Sequence, residues 1–562
     1  MPADPVEAPL RLLEQLKTSF TAGEAARLER LLARLERARF RDAASLGRFH
    51  EALLFLRAYP HNARVARRSE RLLEGFSERV ARLRAAGAEL SPLEDPEISG
   101  IAGTAFSAIF TWPLACHLAA RYPGAVEIDW EAEECVDRLG PSLPRFILLL
   151  EDDTLVEANV PYADWLGAAR GDLAWLLKRL AAWPRAPEEK AELYELWRVP
   201  IRWELGDTPA ARTHTRLAAR RLFYQRTPLV RRSEVSLAAE LAGPPLPLKA
   251  VARRRAAALL DLARDTSAAR YRELWGFTYG DPRYVLEADA GRGVRFFLWG
   301  VPPERRLPLR AYHAGFYIKN GVPIGYFETL SFIERVEVGF NVYYTFREGE
   351  SAWLYGRLLR LLNQVLGVTR FSMDPYQLGR HNEEAIKAGA FWFYRKLGLR
   401  PMRAELARVA DAEAEKIRTR PGYRTPPHIL ERLAEGPMIY EPPGASVGEW
   451  DRFEVRKLGM AVARRTAARF AGDAARAREA ATQEVAAALE VRTSGWNRDE
   501  QRAYSHLAPA LALIPDLPRW NRAEKRAVTA IIRAKAAPEE SRYLRLLQAH
   551  DRLRAAWLRL GS

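Results

Sequence analysis

The sequence predicts a mixed α+β protein in which a mostly antiparallel sheet, at about residues 275–405, lies between large helical regions on both sides. Residues 294–346 consist of aromatic and β-branched runs separated by short turns, which is typical of strands. Asn320-Gly321 lies between two of these runs and favours a tight hairpin, because a type I′ turn requires positive φ at both central residues. Outside this segment, leucines recur at helical spacing.

The first two regions are predicted to be helical. Residues 1–90 form an N-terminal helical region, and residues 91–274 form a mostly helical region with one candidate strand at 146–150, followed by the acidic run 151–153. The uncharged stretch 98–120 is long enough to span a membrane. Because it contains Gly100, Gly103, Pro113 and His117, we expect a buried core segment and no membrane association.

The elements of the central segment follow in a regular order. Strands are expected at 294–301, 311–319, 322–329 and 337–346, and the glycine-containing loop 347–352 follows the last of them. A helix at 353–366 ends at Gly367, a short strand follows at 369–373, and a second helix at 382–397 ends at Gly398.

The last two regions differ in composition. Prolines crowd residues 420–444, and we interpret residues 406–444 as a linker or an extended wrapping segment. Residues 445–562 form a basic helical C-terminal region with 22 Lys/Arg against 14 Asp/Glu. A nucleic-acid-associated protein is therefore one alternative, although interleaved acidic residues are more typical of a solvated surface.

Composition excludes several classes of protein. The chain has 562 residues, of which 48% are apolar, so it is not wholly disordered. Two cysteines, Cys116 and Cys135, exclude a disulfide framework and a cysteine-based zinc site. No His, Asp or Glu group has metal-ligand spacing, and the first residues lack the pattern of a secretory signal, so we expect a cytoplasmic protein without a metal.

Three motifs of the central segment resemble the GNAT superfamily of acyl-CoA N-acyltransferases. Residues 321–328 are similar to the central antiparallel strand of that family, and the loop from Arg347 to Ala352 is similar to its pyrophosphate loop. Asn382-x-x-Ala385 and Tyr394-x-x-Leu-Gly398 are similar to its closing motif. A small-residue turn before a helix suits a pyrophosphate, because free amides and the helix dipole converge there.

This resemblance implies a function and a set of site residues. The co-substrate would be acetyl-CoA or another acyl-CoA, and the acceptor would be an amine on a small molecule, a peptide or a protein. Tyr394 would act as general acid toward the leaving thiolate. The residues expected to bind the cofactor share the loop and its surroundings: Asn341, Val342, Tyr343, Arg347, Gly349, Ser351, Ala352 and Asn382. Glu337 and Glu328, at or near strand ends, are the candidates for the general base.

The sequence departs from the family pattern in three places. Glu350 stands where the loop should have glycine, and a carboxylate there would repel phosphate. The stretch 302–308 is too short for the two helices that form much of the family's acceptor site, so another part of the chain must build that pocket. Residues 387–391 resemble an insertion between Asn382 and Tyr394. A catalytically inactive GNAT-like scaffold or partner-binding protein is therefore the main alternative.

Overall fold

The structure, a computed structural model, describes residues 5–21, 23–136, 138–147, 171–219 and 221–562 and is mixed α/β. The described residues form strands that we number in chain order: β1 (Ala105–Ile109), β2 (Val126–Ile128), β3 (Pro200–Glu204), β4 (Leu248–Ala250), β5 (Val285–Gly291), β6 (Val294–Gly300), β7 (Ala311–Lys319), β8 (Val322–Phe332), β9 (Arg335–Val342), β10 (Arg370–Met373), β11 (Arg400–Pro401) and β12 (Met438–Tyr440).

Helices surround these strands. In chain order they are α1 (Glu7–Leu16), α2 (Glu24–Glu36), α3 (Ala43–Ala58), α4 (Ala63–Glu74), α5 (Phe76–Ala85), α6 (Trp112–Arg121), α7 (Trp130–Val136), α8 (Asp172–Ala182), α9 (Pro187–Trp197), α10 (Leu237–Ala242), α11 (Arg253–Ala268), α12 (Trp275–Thr278), α13 (Ser351–Leu366), α14 (Pro375–Leu378), α15 (Glu383–Ala388), α16 (Ala390–Arg395), α17 (Ala404–Thr419), α18 (Pro427–Leu433), α19 (Val455–Phe470), α20 (Ala474–Leu489), α21 (Arg498–Leu511), α22 (Arg522–Lys535), α23 (Ser541–Gln548) and α24 (Asp551–Gly561).

An open, mostly antiparallel sheet of nine strands forms the centre, in the order β11-β12-β10-β9-β8-β7-β6-β5-β4. β9 and β10 run parallel and are joined by α13. Their pairing covers Arg335 to Glu337 on β9, whereas β9 itself continues to Val342. β9 therefore has an edge without a β10 partner over its last five residues, and the loop that leads into α13 begins at the end of that edge.

The predicted hairpin at Asn320-Gly321 is confirmed. Asn320 and Gly321 have φ values of 51° and 86°, as the turn between β7 and β8 requires. The turn is buried, because the Asn320 amide donates to the carbonyl oxygens of Ala58 and Phe223, at 2.9 Å each. The N-terminal helical region therefore packs directly on the tip of this hairpin.

The first predicted helix of the central segment is confirmed as α13, which ends at Gly367 with a φ of 74°. The second predicted helix, 382–397, is instead broken into α15 and α16. Gly389 lies at the break with a φ of 66°, a conformation that a continuous helix does not contain. The break falls within the predicted insertion at 387–391.

Sheet structure extends beyond the predicted segment. Residues 406–444, for which the sequence predicts a linker or wrapping segment, contain most of α17, all of α18 and strand β12, which pairs with both β10 and β11. The mostly helical region 91–274 contributes β4 to the large sheet and forms a second sheet of order β1-β3-β2. The candidate strand 146–150 lies partly, and the acidic run 151–153 wholly, outside the described residues.

Two hydrophobic cores result. One is continuous through the N-terminal helices, the large sheet and the C-terminal helices, and the other lies under the small sheet. The C-terminal helices reach the large sheet directly, since the Trp557 and Phe332 rings stack at 5.5 Å. Many C-terminal cations pair with carboxylates, as Arg533 does with Glu500 at 2.6 Å, which leaves less positive charge for a phosphate backbone. Every described helix is too short or too polar to cross a bilayer.

Candidate functional site

The candidate base Glu337 and the candidate acid Tyr394 lie on opposite faces of the large sheet. Because side chains alternate along a strand, Glu337 and Phe340 point to different faces of β9. The Phe340 ring contacts Tyr355 of α13 at 5.2 Å, so this face, which we call the α13 face, is covered by that helix. Glu337 projects from the other face, which we call the Glu337 face.

A cavity of about 560 Å³ opens on the Glu337 face. Its lining comes from β8, β9, the start of α14 and the segments around 402, 436 and 453: Arg310, Leu330, Phe332, Arg335, Glu337, Asp374, Pro375, Arg380, Met402, Arg403, Glu435, Pro437, Trp450, Asp451, Phe453, Glu454, Val455 and Arg456. Most of the wall opposite the sheet thus belongs to residues after 400. Because the stretch 302–308 is too short to build an acceptor pocket, the sequence predicts that the helical N-terminal half shapes it, whereas the lining of this cavity begins at Arg310 and continues after residue 400.

Glu337 lies in this cavity with the properties expected of a general base. Burial raises the pKa of its carboxyl group, and the nearby Asp374 carboxylate raises it further. A carboxylate with a raised pKa takes up a proton more readily than a solvated one. Asp374 is itself fixed, because it accepts a hydrogen bond of 2.8 Å from the Tyr376 amide at the start of α14.

Glu328, the other candidate base, lies on the same face but outside the lining of the cavity. Burial raises its pKa as well, but its carboxylate accepts a hydrogen bond from the Tyr312 hydroxyl. That hydroxyl in turn accepts one from the Gly276 amide at 2.8 Å. Glu328 therefore connects β8 to α12, and Glu337 is the better placed of the two for a ligand.

Tyr394, the candidate general acid, lies on α16 and is buried. Its ring contacts Tyr355 of α13 at 5.5 Å, which places it with the α13 face of the sheet. Burial raises the pKa of its hydroxyl group well above the ordinary value, so the phenol keeps its proton at neutral pH. A protonated phenol can donate to a developing thiolate.

The loop 347–352 runs into α13, a helix of 16 residues that begins at Ser351 and whose N-terminus has no side-chain cap. Glu350 turns inward and is 1% exposed. Its carboxylate pairs with Arg292 at 2.5 Å and Lys319 at 3.5 Å, and accepts a hydrogen bond of 3.1 Å from the Val230 amide. The charge that would repel a phosphate is therefore neutralised within the protein.

The other residues of the loop also contact the rest of the chain. Arg347 pairs with Glu384 and, at 3.4 Å, with Glu97. A Cβ atom on Gly349 would lie 2.6 Å from the Tyr59 hydroxyl oxygen, so packing against α3 requires glycine there. The Ser351 hydroxyl donates to the Arg347 carbonyl at 3.4 Å, and Ala352 is buried.

At the end of β9, two of the three residues predicted to bind the cofactor use their backbone groups within the sheet. The Tyr343 amide donates to the Ile324 carbonyl at 3.0 Å, and the Asn341 carbonyl accepts from the Tyr317 hydroxyl. Backbone groups of alternate residues point to the same neighbour, so those of Asn341 and Tyr343 face β8. Of the three predicted residues, Val342 presents its groups to the unpaired edge.

Asn382 does not lie in the loop or in the first cavity. Its side chain accepts a hydrogen bond of 3.2 Å from the Ala385 amide and donates to the Tyr376 carbonyl at 3.1 Å. It lines a second cavity, of about 950 Å³, which shares Arg380, Arg403 and Glu435 with the first. Asn382 is thus the N-cap residue of α15.

Sequence reasoning missed two residues beside Glu337. Arg335 lies on the same face of β9, and the spacing of two residues along a strand was a signal that could have found it. Asp374 comes into the cavity only because β10 runs parallel to β9, and no local pattern marks that pairing. Comparison with family models, with curated proteins and with solved structures finds no match to this chain.

Proposed function

We propose that the protein is an acyl-CoA-dependent N-acyltransferase that moves an acyl group, acetyl in the simplest case, to an amine. One observation carries the proposal: the Glu337 carboxyl lies in an open cavity at the point where β9 separates from its parallel partner β10. The connection β9–α13–β10 and the insertion of β12 between β10 and β11 resemble the GNAT arrangement and support it. Fold resemblance alone would not establish activity.

The proposed chemistry is a direct transfer. The amine nitrogen attacks the thioester carbonyl carbon, forming a C–N bond, and Glu337 takes the proton that the nitrogen loses. The C–S bond then breaks, and the leaving thiolate takes a proton from Tyr394. The acyl-CoA would lie along the unpaired edge of β9, with its phosphates at the start of α13 and beside Arg347.

The test is calorimetric titration of the full chain with acetyl-CoA and with free CoA. We expect binding by the natural protein and binding about tenfold or more weaker in an Arg347→Ala variant, because a guanidinium–phosphate contact is lost. Arg552→Ala is the matched control, since the Arg552 side chain is 40% exposed against 34% for Arg347 and also pairs with two carboxylates, yet lies on α24. Absence of binding by the folded natural protein would reject the proposal.

One observation favours a second candidate function. In the described structure, Arg347 is paired with Glu384 and Glu97, and Glu350 with Arg292 and Lys319, so the loop is internally neutral. A loop of this kind also suits an inactive GNAT-like scaffold. The scaffold function would be the better supported of the two if neither acetyl-CoA nor CoA binds.

A further inference from the structure

The cavity on the Glu337 face contains charges of both signs that the chain leaves unpaired. Among the described residues, four of its arginines form no ion pair: Arg310, Arg335, Arg380 and Arg403. Three of its carboxylates also have no ion-pair partner in the described chain: Glu337, Asp374 and Glu435. The remaining charged groups of the lining form ion pairs. Asp451, for example, pairs with Arg400 at 2.9 Å.

Arg335 is the most firmly held of these cations. Its Nε donates to the Ser372 hydroxyl oxygen at 3.0 Å, and Nη1 donates to the Phe453 carbonyl oxygen at 3.3 Å. The guanidinium lies 5.8 Å from the centre of the Trp450 ring. A guanidinium has five N–H groups, so three are free to bind a ligand, and a planar fork of this kind fits a carboxylate.

Glu337 follows two residues later on the same face of the strand. The two Cα atoms are therefore about 6.7 Å apart, and the two side chains stand side by side. Ser372, the β10 partner of Glu337, holds Arg335, so the parallel pairing fixes the cation relative to the carboxylate. A molecule whose ammonium and carboxylate are separated by one carbon can contact both groups at once.

Apolar side chains form part of the wall, beside the other charged residues of the lining. Five large side chains line the cavity around the charged pair: Leu330, Phe332, Met402, Trp450 and Phe453. An apolar side chain of a ligand would be stabilised by burying its surface against them. The cavity thus combines an anion contact, an ammonium contact and an apolar wall in one space.

We infer that this cavity binds a zwitterionic amine, an α-amino acid with an apolar side chain, whose carboxylate contacts Arg335 and whose amino group contacts Glu337. Its role as the acyl acceptor rests on the proposed function, whereas its binding does not. Such an acceptor would present its nitrogen to Glu337, the group placed there to take up a proton.

The test uses the full chain and ligand-observed NMR titration with three probes, each measured with and without free CoA. L-phenylalanine carries both charges, L-phenylalaninamide lacks the carboxylate, and 3-phenylpropanoate lacks the amine. We expect L-phenylalanine to bind and each of the other two to bind at least about tenfold more weakly, because a buried charged group of the site is then left unpaired.

Variants connect that difference to the two residues. The Arg335→Gln variant should bind L-phenylalanine no more tightly than the natural protein binds L-phenylalaninamide. Arg335→Gln also removes the hydrogen bonds to Ser372 and Phe453, so its effect is not confined to the ligand. Glu337→Gln is therefore the second, independent variant. It should weaken both amine-bearing probes and leave 3-phenylpropanoate unchanged. Arg469→Gln, at the exposed surface of α19, is the control and should change nothing.

The outcomes separate the two proposals. If L-phenylalanine and its amide bind equally, or if neither saturates with or without CoA, the inference is overturned, and acetyl-CoA binding would still support the transferase. If L-phenylalanine binds with the expected selectivity but no CoA compound binds, the cavity is an amino-acid site and the proposed function fails.

Discussion

The loop before α13 and the cavity beside Glu337 are both candidate ligand sites, and they handle charge in opposite ways. In the loop, Glu350 is buried and paired with Arg292 and Lys319. In the cavity, Arg335 and Glu337 have no ion-pair partner among the described residues. A pair that is satisfied internally contributes to holding the fold, whereas charges left open to a cavity cost stability and are retained where they bind something.

The largest effect on stability should come from the loop before α13, where Glu350 is paired within the protein. Glu350→Gln would leave the buried Lys319 and the partly exposed Arg292 without their carboxylate, and we expect the free energy of unfolding to fall by about 3–5 kcal/mol. Urea unfolding followed by circular dichroism measures this change. Burial already lowers the pKa of Lys319 to about 8, with Glu350 opposing the shift, so this lysine depends on that partner.

Glu348→Gln is the matched control, two residues earlier in the loop. Glu348 pairs with Lys17 at 2.7 Å, but its side chain is 62% exposed. An exposed pair is worth about 0–1 kcal/mol, so this variant should stay close to the natural protein. Equal stability of the two variants would mean that the buried pairs do not hold the loop.

A pH effect should come from a buried histidine of α3. The His50 Nδ1 donates to Glu51 at 3.0 Å, and Glu51 also accepts from the hydroxyl of Thr345, which comes two residues before the loop. Burial lowers the pKa of His50 to about 4, whereas the unfolded chain titrates near 6.5. Stability is therefore complete above about pH 6.5 and falls toward pH 4, by about 3 kcal/mol in total.

Thermal midpoints measured across this pH range test the assignment. His50→Gln should reduce the dependence. The residual slope should come from the other histidines whose pKa burial lowers, such as His313, whose pKa falls to about 4, and His61. His428→Gln, at an exposed position of α18, should leave the slope unchanged. An unchanged slope in His50→Gln would place the acid sensitivity elsewhere.

Substitutions in the cavity beside Glu337 should change activity more than stability. Glu337→Gln removes a desolvated charge without breaking an ion pair, so we expect unfolding to change by less than about 1 kcal/mol. If the chain is the proposed transferase, turnover of an acceptor should fall about 100-fold in this variant, because the proposed base is lost. The rate of the natural protein should then fall as pH drops through the raised pKa of Glu337.

Glu328→Gln sharpens the same comparison. Glu328 bonds to Tyr312, so its loss should lower stability by about 1–3 kcal/mol and change turnover little. The reverse result, with normal stability and lost turnover, would make Glu328 the base.

Local signals explain which elements the sequence predicts well. Asn320-Gly321 and Gly367 each need a positive φ and therefore mark a hairpin and a helix end without any knowledge of their partners. β12 has three residues, and what makes it a strand is its pairing with β10 and β11 from distant parts of the chain. Such pairing leaves no periodic pattern to read, so residues 406–444 resemble a linker.

The residues of the candidate site also fall into those that local sequence predicts and those that only the tertiary structure brings together. Glu337 could be predicted from its place on a strand, and the departure at Glu350 was visible in the motif. The partners of Glu350 were not, because Arg292 and Lys319 reach it from two hairpin turns. Arg335 and Asp374 meet Glu337 through the sheet and the turn after β10, which are tertiary features.

The smallest expected effect concerns the boundary between the two regions. Glu384 pairs with Arg347 and also lies 3.6 Å from Arg272, so it competes with any phosphate for both guanidinium groups. If the loop binds CoA, Glu384→Gln should tighten CoA binding by about two- to fivefold, since the lost pair is half exposed and worth less than about 1 kcal/mol. Glu383→Gln, on the exposed neighbour that pairs with Lys387, should have no effect in the same titration. Weaker CoA binding in Glu384→Gln would instead mean that this carboxylate positions Arg347 for the phosphate, and the loop would then be preorganised rather than closed.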